Sequence, residues 1–319
     1  MMKRTFKNKG TTLIELLVVM GIFGMVIAAM MSQYVTLLKT TTVARKMTKS
    51  ESDVTNVVWP LFKDIESSGF GIPNKGVYSS TSCLPDTDRT PISVASGVLT
   101  LHSMASGDQK GAGVWSTIDA SCGVANIPDD EFVVVIDPVD RSRLGFTNVA
   151  SGALADPCPA NSSVWSSALA YWIPSGADSN ECYETKFALA SYTTANPAPV
   201  TCAAGTKKVS RSASATSSTS YQPMLDCVLA LDFRFGCINK TSGDLSWRSD
   251  SSCTGTEGSL RLVRVGIVFQ ESPRGDSQGG ETLTMFDDLS SASTINLTSE
   301  QRYYKWRKIE RTIALRNLE

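Results

Sequence analysis

One carboxylate inside a long apolar segment is the residue most suggestive of chemistry. Residues 11–31 form a run of 21 residues in which Glu15 is the only charge. A carboxylate deep in hydrocarbon costs roughly 2.5–3.5 kcal/mol, whereas each Leu, Ile, Val or Phe returns only about 0.3–0.6 kcal/mol. Glu15 is therefore a candidate functional residue that requires a positively charged partner.

An α-amino group released by cleavage between Gly10 and Thr11 would supply that charge. The cut would make Glu15 the fifth residue of the product, one helical turn from the new amine of its own chain or of a neighbour. At about 4 Å and an effective dielectric near 20, such a pair gains roughly 4 kcal/mol, enough to offset the cost of insertion.

The residues before this segment set its orientation in a membrane. Lys3, Arg4, Lys7 and Lys9 precede it without any acid, so this end stays in the cytoplasm and the rest is exported. As a helix, 21 residues measure about 31 Å, enough to cross the hydrocarbon. Without the first ten residues the net charge falls from −1 to −5, with 26 bases and 31 acids, which does not suit a protein that coats nucleic acid.

The cysteines predict disulfides in an oxidising compartment. They are even in number, lie after residue 80 and show no C-x-x-C spacing, so a zinc or redox site is disfavoured. Roughly a hundred pairings remain open for eight cysteines. The candidates are Cys83, Cys122, Cys158, Cys182, Cys202, Cys227, Cys237 and Cys253.

Other candidate sites are weak. His102 is the single histidine, and no nucleophile elbow, Walker, dinucleotide or metalloprotease motif accompanies it. The acid clusters at 86/88, 129–131 and 287–288 offer oxygen ligands for calcium but lack EF-hand spacing. The sequence predicts no enzyme, no metal site and no cofactor.

Residues 302–311 mix aromatic and basic side chains, a pattern that can stack on and neutralise single-stranded nucleic acid. A solvated strand face, or a contact with phospholipid headgroups or other subunits, is the favoured interpretation. The residues concerned are Arg302, Tyr303, Tyr304, Lys305, Trp306, Arg307, Lys308 and Arg311.

A long helix must carry Glu15. Apolar residues continue at helical spacing beyond the membrane segment, from Val35 to Ile65, and 69–73 (Gly-Phe-Gly-Ile-Pro) is a stop signal. The sequence predicts a helix over about 12–68, whose outer half is amphipathic.

After residue 73 the pattern changes to strands. Alternating or continuous apolar residues predict strands near 132–136, 169–173, 229–235, 263–269 and 309–315, whereas the Ser/Thr/Ala-rich stretch 205–220 predicts an exposed loop. The fold class is therefore α+β: a long N-terminal helix, half transmembrane and half amphipathic, packed on one face of an antiparallel sheet.

Two ordinary explanations of the N-terminus compete. A secretory signal peptide could be cleaved near 26–28, but Glu15 would interrupt its apolar region. A plain signal anchor would leave the cost of Glu15 unexplained.

The motif Lys9-Gly10-Thr11-Thr12-Leu13-Ile14-Glu15-Leu16 resembles the class III signal of type IV prepilins and pseudopilins. The resemblance implies that a prepilin peptidase cuts after Gly10 and methylates the amine of Thr11, and that Glu15 pairs with another subunit's N-terminus during assembly. The first mature residue, usually Phe in that family, is Thr11 here, as occurs among minor members. Residues 228–236, 262–271 and 313–317 resemble successive strands of PilW-type minor pilins, which are related to J-type pseudopilins of type II secretion.

This resemblance implies a division into a leader (1–10), a membrane and filament-core helix (11–32), its amphipathic continuation (33–68) and a disulfide-rich head (69–319). It further implies a structural minor pilin in the bacterial inner membrane with a periplasmic head, later part of a surface pilus at its tip or in a priming complex. The partners would be the major pilin, other minor pilins, prepilin peptidase, the inner-membrane assembly platform and, before assembly, membrane lipid.

Three alternatives remain open. The large cysteine-rich region suits a tip adhesin, and residues 302–311 suit a DNA-binding subunit. A secretion pseudopilin has the same N-terminus, and neighbouring genes would distinguish it from a pilin.

Overall fold

A computed structural model describes residues 13–72, 91–105, 113–139, 143–155, 168–173, 183–214, 221–239, 241–253, 259–272 and 274–318. The chain divides into two compact units, Met1–Ser52 and Asp53–Glu319. Among the described residues, α1 is the long helix Leu13–Ser67, and its range includes Pro60. The predicted helix and its stop signal are confirmed: Gly69 and Gly71 follow with φ of 80° and 69°, which glycine adopts without strain.

Fifteen strands, numbered in chain order, lie in the described part of the second unit. They are β1 Ile92–Ala95, β2 Val98–Ser103, β3 Trp115–Thr117, β4 Phe132–Ile136, β5 Arg143–Ala150, β6 Ala153–Leu154, β7 Leu169–Trp172, β8 Tyr183–Ala190, β9 Lys207–Ser214, β10 Gln222–Ile238, β11 Leu245–Arg248, β12 Ser259–Gln270, β13 Thr282–Met285, β14 Ser293–Asn296 and β15 Trp306–Ala314.

The main sheet has eight strands in the order β1-β2-β8-β9-β10-β12-β15, with β11 also paired to β10. Its pairings are antiparallel, with Phe235 opposite Val263 and Val263 opposite Ile313. The strands predicted from alternation at 229–235, 263–269 and 309–315 are confirmed, as is the α+β fold class.

The outer part of α1 is buried on one face of this sheet. Val58, Leu61, Phe62 and Ile65 lie at helical spacing and are at most 9% exposed. They belong to one apolar cluster with the inward-facing strand residues Phe187, Val209, Phe233, Phe235, Val263, Val265, Ile267 and Ile313. Full burial of a large apolar side chain contributes about 1.5–3 kcal/mol, so this helical face is a main source of stability.

The opposite face of the sheet is covered as well, which the alternating pattern did not predict. Val268, Met285 and Phe286 form a second buried cluster there, with partly buried residues of the β13–β14 hairpin packed against it. Arg234 is only 7% exposed, its guanidinium lies 4.8 Å from the centre of the Phe286 ring, and its Nε donates to the Ser291 carbonyl at 2.9 Å. Arg234 alternates with the apolar residues of β10, a pattern typical of a solvent-facing position, whereas here an aromatic ring and a carbonyl contact it under the covering segment.

A second sheet is inserted between two neighbouring strands of the first. β2 and β8 pair directly, with Ser103 opposite Tyr183, yet residues 104–182 lie between them and contain the five-stranded sheet β3-β7-β4-β5-β6. This insertion has its own apolar cluster, which includes Ile118, Val133, Val135 and Trp172. It carries ten acids and three bases, a net charge of −7, against 27 bases and 21 acids elsewhere.

The loop predicted over 205–220 is wrong in its first part. β9, Lys207–Ser214, is an interior strand that pairs with both β8 and β10; residues 215–220 lie outside the described residues. Serine is a poor strand former in isolation, but a strand between two others makes ladder bonds on both sides. Ser210 and Ser212 are small enough to be buried there, at 1% and 5% exposure.

Gly266 makes the covered face possible. A Cβ at this position would lie 2.7 Å from Cζ of Phe286 and 3.0 Å from Sδ of Met285. We expect Gly266→Ala to destabilise the protein by about 1–3 kcal/mol through overpacking, measured by chemical denaturation of the purified full-length protein.

Gly280→Ala is the matched control, because its Cβ would meet only the Thr282 carbonyl at 3.9 Å. Removing the ring in a Gly266→Ala/Phe286→Ala double variant should make the effects of the two substitutions non-additive. Strict additivity would show that the clash is not the cause.

Candidate assembly site and head

The first part of α1 exposes an apolar surface. Among the described residues, Leu13–Leu38 is the one helical stretch long and apolar enough to span a membrane, with mean hydropathy 2.5 and nothing buried. Individual side chains are largely exposed, for example Leu13 at 81% and Met25 at 77%. A surface of this kind requires a cover of lipid or of other apolar helices.

Glu15 is the single charge of this stretch and lies in the first turn of α1. A carboxylate at a helix N-terminus interacts favourably with the helix dipole, by about 0.3–1 kcal/mol. That is less than the roughly 2.5–3.5 kcal/mol for placing it in hydrocarbon, so the helix dipole alone does not offset the cost of insertion. Gly10 and Thr11 lie outside the described residues.

The end of α1 is held from several sides. Ser103 Oγ donates to the Ser67 carbonyl at 2.7 Å, and Asn317 Nδ2 donates to the Glu66 carbonyl at 3.2 Å. Gly69 N donates to the His102 carbonyl at 2.9 Å. Carbonyls of a last helical turn have no intrahelical donors, so these contacts tie the end of the helix to β2 and to the C-terminal residues.

A buried ion pair also joins α1 to the sheet. Nε of Arg211 on β9 donates to Oδ2 of Asp64 at 2.8 Å, and the two side chains are 17% and 11% exposed. Arg311 on β15 places its guanidinium 4.9 Å from the centre of the Phe62 ring. Both contacts join residues far apart in sequence, and periodicity alone did not indicate them.

The insertion contacts the segment that directly follows α1. Phe70 packs edge-on against Tyr171, with 5.2 Å between ring centres, and Ile72 is buried with Met104, Val134, Ile136 and Ile173. A Cβ on Gly71 would lie 2.8 Å from both Met104 and Tyr171. The glycines of the predicted stop signal therefore also permit close packing against the insertion.

Two disulfides are defined, Cys202–Cys227 and Cys237–Cys253. Cys122 is disulfide-bonded as well, and none of the described cysteines is free. Cys83, Cys158 and Cys182 lie outside the described residues. Closing the 16-residue separation between Cys237 and Cys253 contributes roughly 3 kcal/mol in the chain-entropy model. These bonds agree with folding in an oxidising compartment.

His102 is a buried residue of the main sheet that contacts a carboxylate on the neighbouring strand. It is 8% exposed and lies opposite Glu184 in the β2–β8 ladder, with Nε2 3.5 Å from the Glu184 carboxylate. The hydrogen bond with His102 and the neighbouring Lys186 ammonium outweigh burial and lower the pKa of Glu184 to about 2. The pair stabilises the strands from which the insertion leaves.

The acid cluster at 287–288 is neutralised by bases of the same head. Asp287, Asp288 and Glu310 place carboxylate oxygens within 4.8 Å of one another, but Arg264 contacts Asp288 at 2.6 Å and Glu310 at 2.7 Å. The hydrogen bond from Arg264 lowers the pKa of Asp288. Lys308 lies 3.0 Å from Glu310, so the arrangement is an ion-pair network. In the 129–131 cluster, Asp129 accepts a hydrogen bond from Gly152 N and Glu131 accepts one from Trp172 Nε1. Residues 86 and 88 lie outside the described part.

The basic residues of 302–311 are engaged within the head, which disfavours nucleic-acid binding. Arg302 pairs with Glu281 at 2.7 Å, and Lys305 and Arg307 both approach Glu271. Trp306 donates its indole N–H to the Gln301 carbonyl at 2.9 Å and packs against the covered face.

Comparison with known proteins identifies the N-terminus. A family model described as the prokaryotic N-terminal methylation motif matches residues 5–31, which contain Gly10, Thr11 and Glu15. No curated protein and no solved structure matches the chain. The motif and the exposed apolar helix support a type IV pilin-like, membrane-anchored protein. They imply a structural role, processing by prepilin peptidase and assembly with other pilins.

The Glu184 contact predicts a pH dependence. Because the folded-state pKa is depressed, to about 2, this stabilisation is present above the unfolded value near 4.3 and is lost as the pH falls towards 2. Because the Glu184 side chain is 30% exposed and water screens the contact, we expect the loss to be about 0.2–1 kcal/mol. Chemical denaturation of Glu184→Gln between pH 6 and 2 should give a flatter stability profile than wild type.

Glu300→Gln, at an exposed carboxylate, is the control and should retain the wild-type slope. An unchanged slope in Glu184→Gln would contradict the assignment.

Proposed function

We propose that this protein is a minor pilin of a type IV pilus, of the PilW type. The observation that carries the proposal is the apolar stretch Leu13–Leu38 of α1, which has one carboxylate and nothing buried and overlaps the segment matched by the prokaryotic methylation motif, residues 5–31. Residues 1–10 are the leader, 11–32 the membrane and filament-core helix, 33–68 its amphipathic continuation and 69–319 the head. Prepilin peptidase cuts after Gly10 and methylates Thr11.

Assembly exchanges one apolar environment for another. Before assembly, lipid surrounds the first part of α1; in the filament, the helices of the major pilin and of other minor pilins replace it. Van der Waals packing of helices is then balanced against solvation by lipid tails, so neither state dominates. The ion pair between Glu15 and a neighbour's N-terminal amine adds a directional contribution of roughly 4 kcal/mol and sets the axial register.

A position at the tip or in a priming complex agrees with the size of the head. The insertion of residues 104–182 adds a second sheet to the head and carries a net charge of −7. A subunit repeated along the filament would have to accommodate this addition at every position, whereas a terminal subunit would not. The same insertion supports the second candidate function, a tip adhesin. A pseudopilin of type II secretion shares the N-terminal features, and neighbouring genes distinguish it.

The role of Glu15 is tested by Glu15→Ala. Loss of the charge lowers the cost of insertion, so the variant should remain in the inner membrane. Incorporation into sheared pili should fall by about tenfold or more, because an ion pair of several kcal/mol is lost. Quantitative immunoblotting of the membrane and pilus fractions measures both quantities.

Glu66→Ala, on the same helix but at an exposed position with a weak 3.8 Å ion pair, is the matched control and should assemble normally. Wild-type incorporation of Glu15→Ala would refute the register role.

The processing site is tested by Gly10→Leu. The bulky residue before the scissile bond should block the peptidase, so the purified protein should keep its leader and its unmethylated N-terminus. Intact-mass spectrometry of the wild type should show the loss of ten residues and a methyl group on Thr11.

Gly21→Leu is the control, since a Cβ at Gly21 meets nothing within 4 Å, and it should be processed as wild type. A mature, methylated Gly10→Leu product would reject the site.

A further inference from the structure

A groove lies beside the outer part of α1, within the second unit. It has a volume of about 550 Å³, in the range of small-molecule sites. The helix forms one wall, and the ends of β9 and β10 form the other. Its described lining combines apolar and hydrogen-bonding side chains, the main ones being Trp59, Lys63, Asp64, Arg211, Gln222 and Met224.

Trp59 is the most exposed tryptophan among the described residues of this unit. It is 60% exposed, although Val58, Leu61 and Phe62 beside it are buried against the sheet. An indole in water contributes little to folding stability, because its large apolar area is not removed from solvent. The position of Trp59 on the wall of a groove supports a role in binding.

The floor of the groove is polar and fixed. Asp64 and Arg211 form the buried ion pair that joins α1 to β9, with 2.8 Å between Nε and Oδ2. Exposed Lys63 places its ammonium 5.4 Å from the centre of the Trp59 ring, and Gln222 is exposed on the strand side. A flat aromatic surface therefore lies beside carboxylate, guanidinium, ammonium and amide groups.

We propose that this Trp59 groove binds a short oligosaccharide. A pyranose ring presents a face of C–H groups that stacks on an indole, and a rim of hydroxyls that both donate and accept hydrogen bonds. The exposed amide of Gln222 both donates and accepts, and the exposed ammonium of Lys63 donates. The Asp64–Arg211 ion pair holds the floor of the groove in place before binding, which limits the ordering that binding requires.

A protein partner fits the groove less well. Protein hot spots are desolvated apolar pockets around an aromatic or arginine anchor, whereas this lining is about half polar and its floor holds an ion pair. The residues of the groove all belong to the second unit, Asp53–Glu319.

The test uses full-length mature protein in a sugar-free zwitterionic detergent on an array of neutral and acidic oligosaccharides. Glycans that bind are then titrated by calorimetry. We expect Trp59→Ala to weaken binding by about tenfold or more and Trp59→Phe, which keeps a flat ring, to weaken it less. Both variants should keep the wild-type melting temperature, since Trp59 is mostly exposed.

Trp115→Ala is the matched control, because Trp115 is also exposed, at 47%, but lies in the inserted sheet. It should bind as wild type. A comparison of neutral with acidic glycans determines whether Lys63 contributes charge, with Lys63→Gln weakening only acidic ligands.

Three results would overturn the proposal: no glycan retained on the array, equal binding by wild type and Trp59→Ala, or equal losses in Trp59→Ala and Trp115→Ala. Failure of Trp59→Ala to enter pili without any glycan binding by wild type would assign the groove to a subunit contact instead.

Discussion

The head depends on the contact between one face of α1 and the main sheet. Val58, Leu61, Phe62 and Ile65 fill the space over the central strands, and the Asp64–Arg211 pair and the Arg311–Phe62 contact fix the helix laterally. Hydrogen bonds from Ser103 and Asn317 then satisfy carbonyls at the end of the helix. Packing supplies most of the free energy, and the polar contacts determine the position of the helix.

The same helix meets two opposite requirements along its length. Its first part exposes apolar side chains nearly all round and contains one carboxylate, which only lipid or other apolar helices can accommodate. Its last part is amphipathic and buries one face in its own head. α1 thus combines an apolar stretch that needs lipid or other helices around it with a last part that belongs to the core of the head.

Residue patterns predicted the parts of the fold that depend on local order. The helical spacing and the stop signal predicted the C-terminal end of α1 within one residue, and the alternation at 263–269 predicted the centre of β12. The burial of Arg234 was missed because an arginine that alternates with apolar residues looks exposed in the sequence. The ring that covers it, Phe286, lies 52 residues later in the chain. β9 was missed because its serines obtain their burial from neighbouring strands. Charge and hydropathy alone made Glu15 a candidate, and that role stays a prediction. The Trp59 groove combines residues from four separate segments, so only the folded arrangement brings them together.

The direct pairing of Ser103 with Tyr183 has a mechanical consequence. Anything that pulled on the inserted sheet would transmit force to β2 and β8 at the same end of both strands. Antiparallel neighbours loaded in this way separate one rung at a time, from Ser103 inwards, instead of sliding against each other along their whole length. The His102–Glu184 contact lies at the next rung, so it would be among the first interactions to bear tension.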